Sequence, residues 1–168
     1  MTLPAADLRF AKYSLCGNTF LVVDEDETPL ADDRQRGAVA RWMLDAEFGI
    51  GGADNVLYIR TDIGTGDVAF RIFEYDGAQT LSCGNGLLCV ALLLHRRRAG
   101  RSWDILTELP SGCPQRVRAG ISEKTGRAWA DIGPPRPAPP ELFTRQGSYR
   151  VDLVVPLPRD QGWCRYLP

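Results

Sequence analysis

The sequence predicts an α+β domain in which short strands gather around one buried helix. Two observations carry this reading. Between Gly86 and Arg98 the chain runs Leu87-Leu-Cys-Val-Ala-Leu-Leu-Leu94 almost without a polar residue, and a helix that is apolar all round must be buried inside a domain. The other apolar residues fall in short β-rich stretches bounded by glycine, aspartate and asparagine, as strands and turns do. A length of 168 residues with 44% hydrophobic and 24% charged content suits one ordinary globular domain.

The elements follow in chain order. Phe10 to Tyr13 and Phe20 to Val23 read as strands on either side of a Cys16-Gly17-Asn18 turn. Asp24 to Asp33 is acidic and reads as a surface loop. From Arg34 to Phe48, Ala38, Val39, Trp42, Met43 and Ala46 stand near helical spacing, and Gly49-Ile-Gly-Gly52 then breaks the chain. Asn55 to Thr61 and Asp67 to Tyr75 are strands, the second with strict alternation, followed by an Asp76-Gly77 turn. The apolar helix ends in Arg96-Arg97-Arg98 and Gly100, cations and a glycine suited to a helix C-terminus. His95 beside these arginines reads as part of a solvated helix end. Three more strands are expected at Trp103 to Glu108, Gln115 to Arg118 and Arg127 to Ile132. Five prolines between Pro134 and Pro140 read as an extended linker. Tyr149 to Val155 is strand-like, and the tail is too short to bury a core of its own.

Composition excludes several function classes. The net charge of −1 offers nothing to a polyanion, so no nucleic-acid partner is expected. No apolar run approaches the roughly 20 residues that span a membrane, and Met1 to Leu8 carries no base and does not read as a signal peptide. Five cysteines without CxxC pairs read as reduced thiols of a cytoplasmic protein. With one histidine and no HExxH or CxxC pattern, no metal site is expected. Neither a P-loop nor a GxGxxG after a strand is present.

The segment that carries chemistry is Cys83-Gly-Asn-Gly86, a thiol in a turn that opens straight into the buried helix. A helix N-terminus presents partial positive charge and free N–H groups. It favours a thiolate and cradles a carboxylate. One short segment therefore supplies a general base and an anion site.

Four motifs, in order, resemble the diaminopimelate epimerase family. Phe10-Ala-Lys12 with Gly17-Asn18-Thr19-Phe20 resembles the family's opening FxK and GNDF. Gly49-Ile-Gly51 with Ala53-Asp54-Asn55 is similar to its GIGAD segment with one extra glycine. Phe70-Arg-Ile-Phe73 with Asp76-Gly77 resembles its RIFNxDG, and Cys83-Gly-Asn-Gly86 with Cys89 its CGNGxRC. The resemblance runs from about residue 8 to 134. It implies one α/β half of a two-half fold, a curled and mostly antiparallel sheet around one central buried helix, over residues 1–133. Residues 134–168 would then be a proline-rich linker and the start of a second domain. The implied activity is cofactor-independent, PLP-independent epimerisation of an amino acid, LL- to meso-diaminopimelate, a step of lysine and peptidoglycan-precursor biosynthesis. One cysteine from each half transfers a proton on each face of the α-carbon. Cys83 would be the catalytic thiol here, with Asn18, Asn55, Glu74, Gly84 and Asn85 binding the substrate. Glu74 replaces the family's asparagine and Leu88 its arginine. The second half's CGTG or CGSG motif does not occur in these residues, and Cys113 and Cys164 stand outside that pattern.

Read on their own, Cys89 is a core residue of the apolar helix and Cys16 a structural one. The opposite wall of the cleft would come from a second chain or further sequence, and an exposed half-cleft implies a homodimer. The alternative is an inactive remnant serving as a binding or dimerisation module. A thiol switch using Cys83 and Cys89 rests on spacing alone.

Overall fold

The computed structural model describes residues 8–61, 65–80, 83–97, 100–108 and 114–133, and the backbone of 153–155 and 164–166. In chain order the elements are β1 (Ala11–Leu15), β2 (Asn18–Asp24), α1 (Asp33–Leu44), β3 (Asn55–Thr61), β4 (Val68–Phe73), β5 (Gln79–Thr80) and α2 (Gly84–Arg97). After these come β6 (Ser102–Thr107), β7 (Gln115–Ile121), β8 (Ala128–Asp131), β9 (Leu153–Val155) and β10 (Cys164–Tyr166). The chain divides into two compact units, Met1–Gly133 and Pro134–Pro168. In the second, β9 and β10 pair antiparallel. The expected proline linker, Pro134 to Pro140, lies outside the described residues, as does the Tyr149 to Asp152 part of the strand expected there.

The first unit holds one sheet in the order β1-β2-β3-β4-β6-β7-β8, with β5 also paired to β4. Its pairs are antiparallel except β2–β3 and β4–β6. A parallel pair needs a long crossover, and the two helices supply one each. α2 packs against β1 and β2 near one end of the strand order and against β7 and β8 at the other. A flat sheet cannot offer both ends to one helix, so the sheet curls around it. This is the α+β half expected from the sequence, with α2 as its buried centre.

One feature differs from that expectation. The sheet is covered on both faces. Phe20 and Val22 of β2 and Leu57 and Ile59 of β3 join the cluster around Leu87, Val90, Ala91 and Leu94 of α2. The intervening Leu21, Val23, Val56 and Tyr58 point the other way, into a second cluster with Val39, Ala40 and Met43 of α1. Alternate residues of a strand face opposite sides. The unbroken apolar run Phe20-Leu-Val-Val23 is thus the signature of a strand buried twice. Tyr58 and Phe73 meet edge to face in this second core, their centroids 5.3 Å apart.

Two expected boundaries also move. The first helix ends at Leu44 instead of Phe48 because Asp45 turns the chain. Its Oδ1 accepts from the N–H groups of Glu47 and Phe48, each at 2.8 Å. Those donors, Phe48 first, hold its carboxyl below the usual range. At the other end Asp32 accepts from the Gln35 N–H at 2.8 Å, a side-chain N-cap. The loop from Asp24 to Asp33 is only partly a surface loop. Glu25 is buried and meets Arg36 of α1 through Nη2 at 2.7 Å and Nε at 2.9 Å. Tyr58 Oη donates to the Arg36 carbonyl at 2.7 Å. Asp24 meets Arg97 at the end of α2 at 3.3 Å. An acidic run reads as solvated when its cationic partners lie far along the chain.

Gly37 shows what seats α1. A Cβ there would overlap the carbonyl oxygen of Gly77, in the turn after β4. Gly77 itself has φ +77, where glycine alone is unstrained, and Arg41 Nη1 donates to the Asp76 carbonyl at 3.1 Å. Helix propensity alone would make Gly37→Ala stabilising by about 1 kcal/mol. The overlap reverses the sign, and urea denaturation should show a loss of about 1–3 kcal/mol. An unchanged or raised midpoint would mean that the turn is not packed on the helix.

Candidate functional site

The site residues converge because of strand direction. β2 and β3 run parallel, with Phe20 opposite Asn55, so Asn18 and Asn55, the first residues of their strands, lie at the same end of the sheet. β4 returns antiparallel with Val56 opposite Phe73, which brings Glu74 beside Asn55. Asn55 Nδ2 donates to Glu74 Oε2 at 2.8 Å. α2 starts at that same end, and Asn85 Nδ2 donates to Asn18 Oδ1 at 2.9 Å. Asn18, Asn55, Glu74, Cys83 and Asn85 are half-buried, and Gly84 is exposed. Five sequence-predicted residues thus form two hydrogen-bonded pairs and a thiol at one sheet end, with Gly84 between the thiol and Asn85.

Local structure fixes each member. A two-residue turn, Cys16-Gly17, joins Leu15 to its partner Asn18. Both turn residues have positive φ, +52 and +86, the primed geometry that suits the twist of a hairpin. Cys16 is exposed at this turn. Asp54 clamps the two parallel strand starts: its N–H donates to the Thr19 carbonyl at 2.7 Å, and its Oδ2 accepts from the Thr19 N–H at 2.6 Å. Asn18 and Asn55 each sit next to one end of this clamp. Lys12 Nζ donates to the Gly51 carbonyl at 3.2 Å, tying the glycine loop to β1. Sequence reasoning quoted Asp54 and Lys12 without giving them a task. An aspartate directly before a strand that begins beside another strand start was the available signal for Asp54.

At the start of α2, the Leu87 N–H donates to the Cys83 carbonyl at 3.0 Å. The N–H groups of Gly84, Asn85 and Gly86 precede that first bond and have no intrahelical acceptor. The two glycines of the motif differ in their surroundings. A Cβ on Gly86 would meet Phe70 Cζ at 3.3 Å and Leu57 Cδ1 at 3.5 Å, so Gly86 lets the helix close on the core. A Cβ on Gly84 would meet nothing within 4 Å. The fold does not require glycine at 84, and its absence of a side chain leaves the backbone donors open to a ligand.

The sequence profile of the diaminopimelate epimerase family matches residues 10–129, which takes in every residue of the site. The chain belongs to the diaminopimelate epimerase family. Diaminopimelate epimerase of Synechococcus elongatus is 34% identical over 145 residues, 82% of this chain and 46% of that protein. The Microcystis aeruginosa enzyme is 34% identical over 154 residues, 88% of this chain and 51% of its own length. The chain spans about half the length of the relatives it matches. Among solved structures, a phenazine biosynthesis protein of the PhzF family from Enterococcus faecalis superposes with a TM-score of 0.48 at 15% identity, over 64% of this chain and 35% of that one. A predicted epimerase from Pseudomonas aeruginosa gives 0.48 at 19%, over 70% and 40%.

Within the family motif the two cysteines have different environments. Cys83 is half-buried at the open helix start, packed against the edge of the α2 core. Cys89 is fully buried. Burial first, then the nearby thiols of Cys83 and Cys16, push its thiol up to about 11. Cys89 is therefore a neutral core residue, as its place in the apolar run suggested. His95 is exposed at the helix end, its Nδ1 3.2 Å from the Gly100 carbonyl. No helix among the described residues is long and apolar enough to cross a membrane.

Two predictions test this assignment. Gly84→Ala should leave stability within about 1 kcal/mol of wild type, whereas Gly86→Ala should cost about 1 kcal/mol or more, because Phe70 and Leu57 have little room to yield. Equal effects in thermal denaturation would mean that neither glycine is there for packing. For the thiols, iodoacetamide at pH 8 with peptide mapping should label Cys83 and leave Cys89 unlabelled until denaturant is added. A folded pKa raised above the unfolded value means that Cys89 contributes fully at neutral pH, and that the contribution fades as pH rises from about 9 towards about 11. Native labelling of Cys89 at the rate of Cys83 would contradict its burial.

Proposed function

We propose that this chain forms one wall of a cofactor-independent amino-acid epimerase, with Cys83 moving the α-proton. The supporting observation is the placement of a half-buried thiol at the start of α2, beside backbone donors that have no intrahelical acceptor and the Asn18–Asn85 pair. The α-proton of an amino acid is weakly acidic, so its removal needs the developing charge to be stabilised by fixed donors. The N–H groups of Gly84, Asn85 and Gly86, with the helix dipole behind them, would hold the substrate carboxylate. Cys83, as thiolate, would take the α-proton as general base. Asn18 would orient Asn85 through their hydrogen bond.

Inversion needs a second acid on the opposite face. In this reading a second thiol-bearing wall supplies it, from another copy of the chain or from the other half of a longer protein. Diaminopimelate is the substrate that the relatives' names suggest.

Incubation in D₂O with LL-diaminopimelate, L-lysine and L-norleucine, followed by proton NMR and chiral chromatography, tests the proposal. Deuterium should enter at the α-carbon, and Cys83→Ala should lower the rate by about 10²–10⁴-fold. Inversion that rises with the square of protein concentration would place the second wall on another copy. Inversion linear in protein would place both thiols in one chain. No exchange with any amino acid, with Cys83 unreactive, would leave the chain as a binding or dimerisation module.

A further inference from the structure

Both main-chain groups of Thr19 end on Asp54. Leu15 and Asn18 close the β1–β2 hairpin, and hydrogen-bonded pairs alternate with non-bonded ones along an antiparallel ladder. Thr19, the next residue, therefore turns its N–H and carbonyl away from β1 and towards β3. The β2–β3 register sets Phe20 opposite Asn55, the first residue of β3. Thr19 thus stands one step beyond that first pair, opposite Asp54. A longer β3 would offer the Thr19 N–H a main-chain carbonyl. The chain instead arrives through Gly51 and Gly52, with φ +63 and +62, and the Asp54 carboxylate takes that carbonyl's place. Its Oδ2 accepts from the Thr19 N–H at 2.6 Å, and the Asp54 N–H donates to the Thr19 carbonyl at 2.7 Å. A short bond to a carboxylate is the stronger kind. Asp54 is exposed, so it makes these bonds without filling space in either core.

Asp54 holds what lies next to it. Asn18 directly precedes Thr19, and its Oδ1 accepts from Asn85 Nδ2 at 2.9 Å. Asn85 is the second residue of α2, and its own N–H is one of the donors without an intrahelical acceptor. Asn18 thereby ties the sheet to the first turn of α2, two residues past Cys83. A hydrogen bond weakens steeply as it loses alignment, so this tie needs a fixed strand start beneath Asn18. Asn55 differs, because it stands within the ladder opposite Phe20.

We propose that Asp54 is a positioning residue of the site. It holds Thr19 by both main-chain groups, which sets Asn18 Oδ1 where Asn85 reaches it. The first turn of α2, with its N–H donors and Cys83, is thereby kept in place over the strand starts. Asp54 acts as a hydrogen-bond acceptor through Asn18 and Asn85, without contact to the substrate. Its effect on turnover rests on the proposed function; its effect on the Asn18–Asn85 bond does not.

Asp54→Ala, Asp54→Asn and Asn18→Ala in the full chain test this role. The first readout is the Asn85 side-chain amide in ¹H–¹⁵N spectra. Asp54→Ala should move its signals to where Asn18→Ala puts them. Asp54→Asn keeps a carbonyl acceptor and should leave them near wild type. A merely structural aspartate would lower the unfolding midpoint and leave these signals in place. The second readout is α-proton exchange in D₂O with LL-diaminopimelate. Asp54→Ala should lower kcat roughly 10²-fold, the scale of a small misplacement remote from the chemistry. Asp54→Asn should stay within about tenfold of wild type, the difference between a charged and a neutral hydrogen bond. Added to Asn18→Ala, Asp54→Ala should cost no more than about twofold further, since two residues acting in one chain of contacts are not additive. Wild-type Asn85 signals in Asp54→Ala, equal impairment of Asp54→Asn and Asp54→Ala, or losses that multiply with Asn18→Ala would each overturn the inference. If wild type exchanges no amino acid, the epimerase reading fails and the Asn85 signals alone decide the role of Asp54. Should Asp54→Ala not fold, Asp54→Asn decides: displaced Asn85 signals in a folded Asp54→Asn chain overturn the inference, and retained ones uphold it.

Discussion

Burial of α2 is the constraint on which the rest of this structure depends. The helix has no polar face between Leu87 and Leu94. Each fully buried leucine or valine is worth roughly 2 kcal/mol, so a helix of this kind must be covered on several sides. One flat sheet covers one side. Contact of α2 with β1 and β2 as well as with β7 and β8 is the solution: the sheet wraps. Leu88 and Leu92 stay half-buried along the helix, while its two ends are the most open parts, and their composition divides accordingly. Arginines gather at the C-terminus, where Arg97 meets Asp24 and Glu27, and Arg96 stacks over Tyr13 at 5.7 Å. Glycine, asparagine and a thiol occupy the N-terminus. The same burial that stabilises the fold thus delivers a helix N-terminus, with its unpaired donors, to one end of the sheet.

Wrapping alone would not place Asn18 and Asn55. Their position follows from the parallel pairing of β2 and β3, which needs α1 as crossover and hence a second core on the outer face. The Glu25–Arg36 pair sits in that outer layer, buried where the loss of one partner would strand the other's charge, a loss worth roughly 3–5 kcal/mol. The pair is better understood as fixing where α1 lies than as adding net stability, since burial of both ions costs much of what their attraction returns. With α1 fixed, Asp54 can clamp the two strand starts, and the polar pairs gain a rigid base. Outer layer, register and site form one chain of dependence.

How much of this the sequence revealed depends on range. The buried helix, the turn at Cys16-Gly17 and the glycine break after α1 were legible because local periodicity and turn chemistry determine them. The polar residues of the site were legible through motif resemblance, which names positions but not partners. The end of α1 at Leu44 was hidden because a side-chain cap at Asp45 competes with an apolar pattern that continues to Ala46 and Phe48. The short strand β5 was hidden because Gln79 and Thr80 show no alternation and are strand only by virtue of β4 beside them. The burial of Glu25 was hidden because its partner lies eleven residues away on another element. The Asn55–Glu74 bond spans nineteen residues, and the Asn18–Asn85 bond sixty-seven. Neither could be read from a window of any useful size.

The two polar pairs differ in a way that composition alone conceals. Asn18–Asn85 is amide to amide, so an amide NH₂ and a carbonyl both remain, and the pair is electrically neutral beside a helix N-terminus that supplies positive potential. Asn55–Glu74 is amide to carboxylate, so one amide N–H and the Asn55 carbonyl remain beside a group that accepts. Each asparagine has the same side chain, and its partner decides what it can recognise. Glu74 supplies a carboxylate where the family motif carries a neutral asparagine, a difference that lies in the side chain. Specificity at such a wall can therefore change through a single side chain while the fold that carries it stays the same.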